Sequence, residues 1–180
     1  MKQAHVAHSV SPMKPNSGKL KLTTPGDREI RFTRAFEAPR QLVFDALTKP
    51  AMLQRWLLGP DGWTMPVCDV ELRVGGKYRW VWRHSDGREM GMGGVYREVA
   101  APERIVWTEK FDESWYPGEA LVTVVLHEKA GTTTLVQTVR YESKPARGIA
   151  LNSGMERGVV ASYDRMEKIL APTEAHKRAL

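Results

Sequence analysis

Between about Trp63 and Tyr141 the chain alternates apolar and polar positions in short runs separated by turn residues, and on either side of that stretch the period lengthens to that of a helix. The alternation predicts six strands near 64–72, 76–83, 89–99, 103–111, 120–129 and 132–141. Turns fall at Gly75-Gly76, Ser85-Asp86-Gly87, Ala101-Pro102, Pro117-Gly118 and Ala130-Gly131. A further strand precedes them at about 29–36, with Ile30, Phe32 and Ala35-Phe36 apolar against charged Arg31 and Arg34. Pro39 then starts a helix reaching Thr48, with Leu42, Val43, Ala46 and Leu47 on its apolar face. Pro50 opens a second short helix carrying Met52, Leu53 and Trp56. From about Ala146 to Leu170 the helical period returns, with Met155, Val159, Ser162 or Tyr163, Met166, Ile169 and Leu170 on one side. The expected fold is α+β: an antiparallel seven-stranded curved sheet, two short helices between strands 1 and 2, and a long C-terminal helix across it.

Composition changes this picture at the ends. Of the net charge of +6, Lys2, Lys14, Lys19 and Lys21 supply four units, because residues 1–26 contain no acid. From Asp27 onward the remaining basic residues are interspersed with all the acids, without the basic stripe that tracks a phosphate backbone, so nucleic acid is not an expected partner. Residues 1–26 are also rich in Pro, Ser and Gly and poor in large apolar side chains, and are read as a disordered basic tail. Residues 27–171 form the folded domain and 172–180 a C-terminal tail. His5 and His8 lack a carboxylate partner for a metal, and Met13 is a second candidate start. No apolar run approaches the ~20 residues of a membrane helix, and the N-terminus lacks the apolar core of a secretory signal, so the expected location is cytoplasmic. The single cysteine, Cys68, alternates with Val70 and reads as a small buried residue.

Alternation also sorts each strand into faces. Tyr78, Trp80 and Trp82 share one side, as do Met90 and Met92, then Trp107, Glu109 and Phe111, then Val122 and Val124, then Gln137, Val139 and Tyr141. With Trp56 from the second helix and Met155 and Val159 from the last, these residues are the candidate lining of a pocket between sheet and C-terminal helix. A packed core needs similar residues. What favours a ligand site is the mixture of broad Trp and adaptable Met around a few polar groups. Trp63 and Trp115 lie near loops, where they gate the mouth or anchor the loops to the core.

Glu109 is the sharpest single position. In phase with Trp107 and Phe111 it faces inward, as a hydrogen-bond acceptor or general base helped by Gln137 and Tyr141. The reading that ordinary carboxylate solvation favours puts it at the strand end, in water or paired with an arginine, and one slip of register decides between the two. No catalytic constellation, nucleophile elbow or phosphate loop is present, no cofactor or metal is expected, and the glycines of Gly91-Met92-Gly93-Gly94 serve bending or close packing.

The order of elements resembles the helix-grip fold of the START-like, Bet v superfamily (SRPBCC). The segments FEAPRQLVFDALTKPAMLQRW, ELRVGGKYRW, GGVYREVAAPERIVWTEKF and GMERGVVASYDRMEKIL resemble the homologues of the activator of heat-shock-protein-90 ATPase, over about Glu29 to Ala171. Two positions depart from that pattern: Val159 and Glu109 stand where the family usually has an aromatic. The resemblance implies a small hydrophobic-molecule binding protein rather than an enzyme. Its alternatives are a chaperone-associated protein and a cyclase/aromatase-like enzyme. The tail leaves no room for the second domain of the eukaryotic co-chaperones. A homodimer through an edge strand or the terminal helix stays open.

Overall fold

Glu29–Phe36 (β2) buries every second residue, and the side chains so aligned are Ile30, Phe32, Arg34 and Phe36. Around this strand the computed structural model describes residues 18–171, and the expectations at 1–17 and 172–180, including His5, His8 and Met13, lie outside the described residues. The other elements are β1 (Lys21–Thr23), α1 (Arg40–Thr48), α2 (Pro50–Trp56), β3 (Trp63–Val70), β4 (Lys77–His84), β5 (Glu89–Ala100), β6 (Arg104–Phe111), β7 (Ala120–Lys129), β8 (Thr132–Arg140), α3 (Lys144–Asn152) and α4 (Met155–Leu170). The strands form one curved antiparallel sheet in the order β1-β2-β8-β7-β6-β5-β4-β3. The meander from β3 to β8 is extended by β2, which pairs with β8, Phe32 opposite Gln137.

Three features differ from the sequence-based expectation. The sheet has eight strands, not seven. The added strand, β1, lies in the stretch assigned to the tail, pairs Leu22 with Phe32, and packs Leu20 and Leu22 against the core. Three residues are too few for alternation to be read. The C-terminal helix is two helices: Gly154 takes φ 80°, a left-handed conformation that ends α3 and that glycine adopts without the strain of a Cβ. Ser143 caps the start of α3 by accepting from the Ala146 N–H at 3.2 Å.

Arg34, the third, is inside. Its guanidinium reaches Asp164 and Glu167 of α4, each at 2.7 Å, and lies over the Phe36 ring, 5.6 Å from its centroid. Charge argued for the outer face, but the period of two put Arg34 with Ile30, Phe32 and Phe36, and two acids on α4 make burial tolerable. The arginine thus fastens α4 to the sheet.

Two irregularities shape the sheet on the side away from this clamp. β5 bulges between Tyr96 and Glu98 against β6, and β3 shifts register between Thr64 and Val67, which increases local bending. Gly94 is required for close approach: a Cβ there would fall 1.8 Å from the Thr108 carbonyl oxygen. Among the described residues no helix is long and apolar enough to cross a membrane.

Candidate functional site

The inward aromatic row of β4 does not meet α4 directly. Between them lies a cavity of about 610 Å³. The floor is strand: Phe32 of β2, Trp80 and Trp82 of β4, Met90 and Met92 of β5, Trp107, Glu109 and Phe111 of β6, Gln137 and Val139 of β8, with Tyr141 just beyond. The roof is helix and loop: Leu53 and Trp56 of α2, Leu57 to Pro60 of the following loop, Met155, Gly158, Val159, Ser162 and Tyr163 of α4. With Trp63 and Trp115, all six tryptophans of the chain line this one space.

Of the residues predicted to line the pocket, Trp56, Trp80, Trp82, Met90, Met92, Trp107, Glu109, Gln137, Tyr141, Met155 and Val159 do so. Tyr78, Val122 and Val124 face the same way but are buried in the packed core. Tyr78 donates to the Thr108 carbonyl at 2.9 Å and packs on Trp80, with ring centroids 4.6 Å apart. Alternation fixes the face of a strand, not where along it the packing opens. The loop Leu57 to Pro60 and the Ser153-Gly154 junction were not foreseen, since neither carries a period.

That loop is held from both sides. The Trp82 indole N–H donates to the Leu57 carbonyl at 2.6 Å, the Gly59 N–H donates to Ser162 Oγ at 2.8 Å, and Arg165 reaches the Gly59 carbonyl and, at 2.7 Å, Asp61. Gly158 leaves room for it: the loop's Pro60 Cδ and Gly59 Cα lie 3.7 and 3.9 Å from where a Cβ would stand.

Polar groups in the wall are few. The Tyr163 hydroxyl donates to Gln137 Oε1 at 2.9 Å, and the Tyr116 hydroxyl donates to Glu109 Oε1 at 3.2 Å. Glu109 is therefore on the cavity, and its partner is a phenol; no ion pair among the described residues includes it. The side chain is partly accessible and lines the cavity. Burial pushes its carboxyl up to about 7, against the opposing hydrogen bond from Tyr116. Tyr116 follows β6 in an irregular loop, where no sequence pattern joins it to Glu109. It packs edge-on against Tyr141, 5.0 Å between centroids.

A carboxyl that titrates near neutrality can accept from a ligand donor, or exchange a proton with it. The indole N–H groups of Trp80 and Trp107 are fully buried without a partner among the described residues. Cys68 is half-buried, its thiol pushed up to about 11 by burial and then by Asp69, which leaves it a poor nucleophile. No three His, Cys, Asp or Glu side chains among the described residues are placed to hold a metal.

Known proteins share this architecture. The model of the family described as Activator of Hsp90 ATPase homolog 1-like protein matches residues 37–171. A crystal structure of a Rhodobacter sphaeroides protein is 32% identical, covering 84% of this chain and 97% of that one, with a TM-score of 0.79. A Nitrosomonas europaea protein is 24% identical, covering 82% and 97%, with a TM-score of 0.71. The Plasmodium falciparum protein described as an HSP90 activator is 22% identical, covering 79% and 96%, with a TM-score of 0.54. No curated protein matches the sequence. With a helix-grip sheet, a family match over most of its length and a relative at this identity, the chain belongs to the Activator of Hsp90 ATPase homolog 1-like family.

Proposed function

We propose that the protein binds one small, largely apolar molecule between the sheet and α4. The observation that carries this reading is the cavity of about 610 Å³ with every tryptophan of the chain in its wall. Kept dry, such a volume would cost on the order of 15 kcal/mol at ~24 cal/mol per Å³, as much as the whole stability of an ordinary domain. In solution the space is therefore filled, and water against walls of this composition is readily displaced by apolar surface. The volume falls within the ~300–1,000 Å³ typical of ligand sites.

Native mass spectrometry of the purified protein, set against its denatured mass and an organic extract, tests this. The expected result is one small molecule per chain, retained or taken up from a panel of apolar compounds, and lost from W80A or W107A. A protein that acquires nothing, or tryptophan variants that bind as well as the parent, would overturn the reading.

The family description favours a second reading, contact with the Hsp90 chaperone. It predicts that the purified chain binds Hsp90 and raises its ATPase rate; no change at saturating chain would remove it. A cyclase or aromatase-like activity is a third, resting on Glu109 with Gln137 and Tyr141, and would not survive turnover by E109Q equal to that of the parent.

A further inference from the structure

The wall of the cavity is electrostatically one-sided. Among the described residues it contains no Lys, Arg or His, and Glu109 is the one side chain there able to carry a full charge. Tyr116 satisfies one carboxylate oxygen, Oε1. Four further hydroxyls lie in the wall: Tyr163 donates to Gln137 Oε1, Ser153 to the Ala150 carbonyl and Tyr141, at 3.9 Å, to Met155 Sδ, while Ser162 accepts from the Gly59 N–H. The six indoles bring π systems whose faces attract cations and repel anions. The indole N–H groups of Trp80 and Trp107 are fully buried, so an acceptor on a ligand does not reach them without a shift of the wall, and the donors left there, the Gln137 amide and the Ser162 hydroxyl, are neutral.

Three classes of apolar ligand can be ranked against this wall. A carboxylate would place a second acid beside Glu109 in a poorly solvated space, with no basic residue to offset it. An alcohol or phenol could donate one hydrogen bond to Glu109 but brings no charge. A protonated amine gives Glu109 a charge-assisted hydrogen bond, and its remaining positive surface meets tryptophan faces. The chain as a whole is positive, +6, so attraction of a cation would be a property of this cavity and not of the overall field.

We infer that the occupant is an apolar amine, its hydrocarbon or aromatic body against the tryptophans and its single ammonium group on Glu109. This deepens, and rests on, the reading of the cavity as a ligand site. Its two arms differ from a merely greasy pocket, which would order ligands by apolar area and ignore the head group.

The test is a calorimetric comparison, with the full chain, of three probes sharing one ring system: 2-(2-naphthyl)ethylamine, 2-(2-naphthyl)ethanol and 2-naphthylacetate. The amine is expected to bind about tenfold or more tightly than the alcohol, the worth of one charge-assisted hydrogen bond over a neutral one. The carboxylate is expected to bind most weakly. In E109Q the ratio of amine to alcohol affinity should collapse to near one. Equal or tighter binding of the alcohol or carboxylate to the parent protein would overturn the amine inference while leaving the apolar-ligand reading standing. So would an amine preference that persists in E109Q. Binding of none of the three would overturn both. The ranking in the parent protein decides the matter even if E109Q does not fold.

Discussion

Arg34 and Glu109 are both taken out of bulk water by the same sheet, one toward each end of it, and the fold treats them in opposite ways. Arg34 meets two carboxylates at 2.7 Å, and its side chain is only 1% exposed. Glu109 meets one tyrosine hydroxyl and no cation among the described residues. A guanidinium is always charged, so its burial is tolerated only where counter-charges are built in. A carboxyl can take up a proton instead, so Glu109 can stay buried while its counter-charge is left to solvent or to a visitor. Saturated charge marks a structural joint, and under-supplied charge is what the proposed ligand site would draw on.

The largest effect that would break this comparison is at the joint. Replacing both Asp164→Asn and Glu167→Gln leaves Arg34 buried without a counter-charge, and urea denaturation should show a loss of about 3–5 kcal/mol. Arg34→Met should lose less, because Asp164 and Glu167 are themselves 52% and 42% exposed and return to water. If Arg34→Met proves the more damaging, the arginine is held by packing and the contrast with Glu109 fails.

A smaller effect sharpens the other side. Glu109 titrates at about 7 in the folded chain against 4.5 for an unperturbed glutamate, so the folded state holds the extra proton between those values. The stability this proton confers is complete below pH 4.5 and is lost as pH rises through about 7. The surroundings that can respond are Tyr78, Tyr116 and Tyr141, all held protonated by burial. E109Q should therefore be more stable than the parent at pH 8 by about 1–3 kcal/mol. At pH 4 the difference should vanish. Denaturation curves at both pH values measure it, and a pH-independent difference would mean that Glu109 is charged and satisfied throughout.

The smallest effect is a control at an uncharged part of the same wall. Gly158→Ala adds a Cβ at ordinary contact distance from Pro60 and Gly59. It should stabilise α4 by roughly 0.5–1 kcal/mol, seen as a higher melting temperature, with the pH dependence of stability unchanged. A loss of stability would show that the loop over α4 has no slack.

Period two carried the strand positions and the facing of Trp80, Trp82 and Trp107, because a pleated strand leaves no other choice once its register is set; it also put Glu109 inward, against the favoured expectation of a solvated or arginine-paired carboxylate at the strand end, which the cavity position and the Tyr116 partner correct. The same period places Arg34 inside, against the outward facing that its charge alone predicts. What the sequence could not show was tertiary. Tyr78, Val122 and Val124 share faces with cavity residues but sit where the core closes. Tyr116 finds Glu109 only after a loop folds back. Leu57 to Pro60 join the wall through hydrogen bonds to α4. Asn152-Ser153-Gly154 did carry a helix-end signal, with glycine placed to end α3, yet the apolar period on both sides suggested one continuous helix.

The gathering of all six tryptophans around one cavity also has an optical consequence. No indole elsewhere contributes background, so the tryptophan emission of the whole chain originates at a single site. Their polar surroundings differ: Trp56 and Trp82 donate to backbone carbonyls, whereas Trp80 and Trp107 have no partner among the described residues. Any occupant that displaces water from this space alters the surroundings of the complete chromophore set at once, and the protein carries its own unlabelled reporter of occupancy.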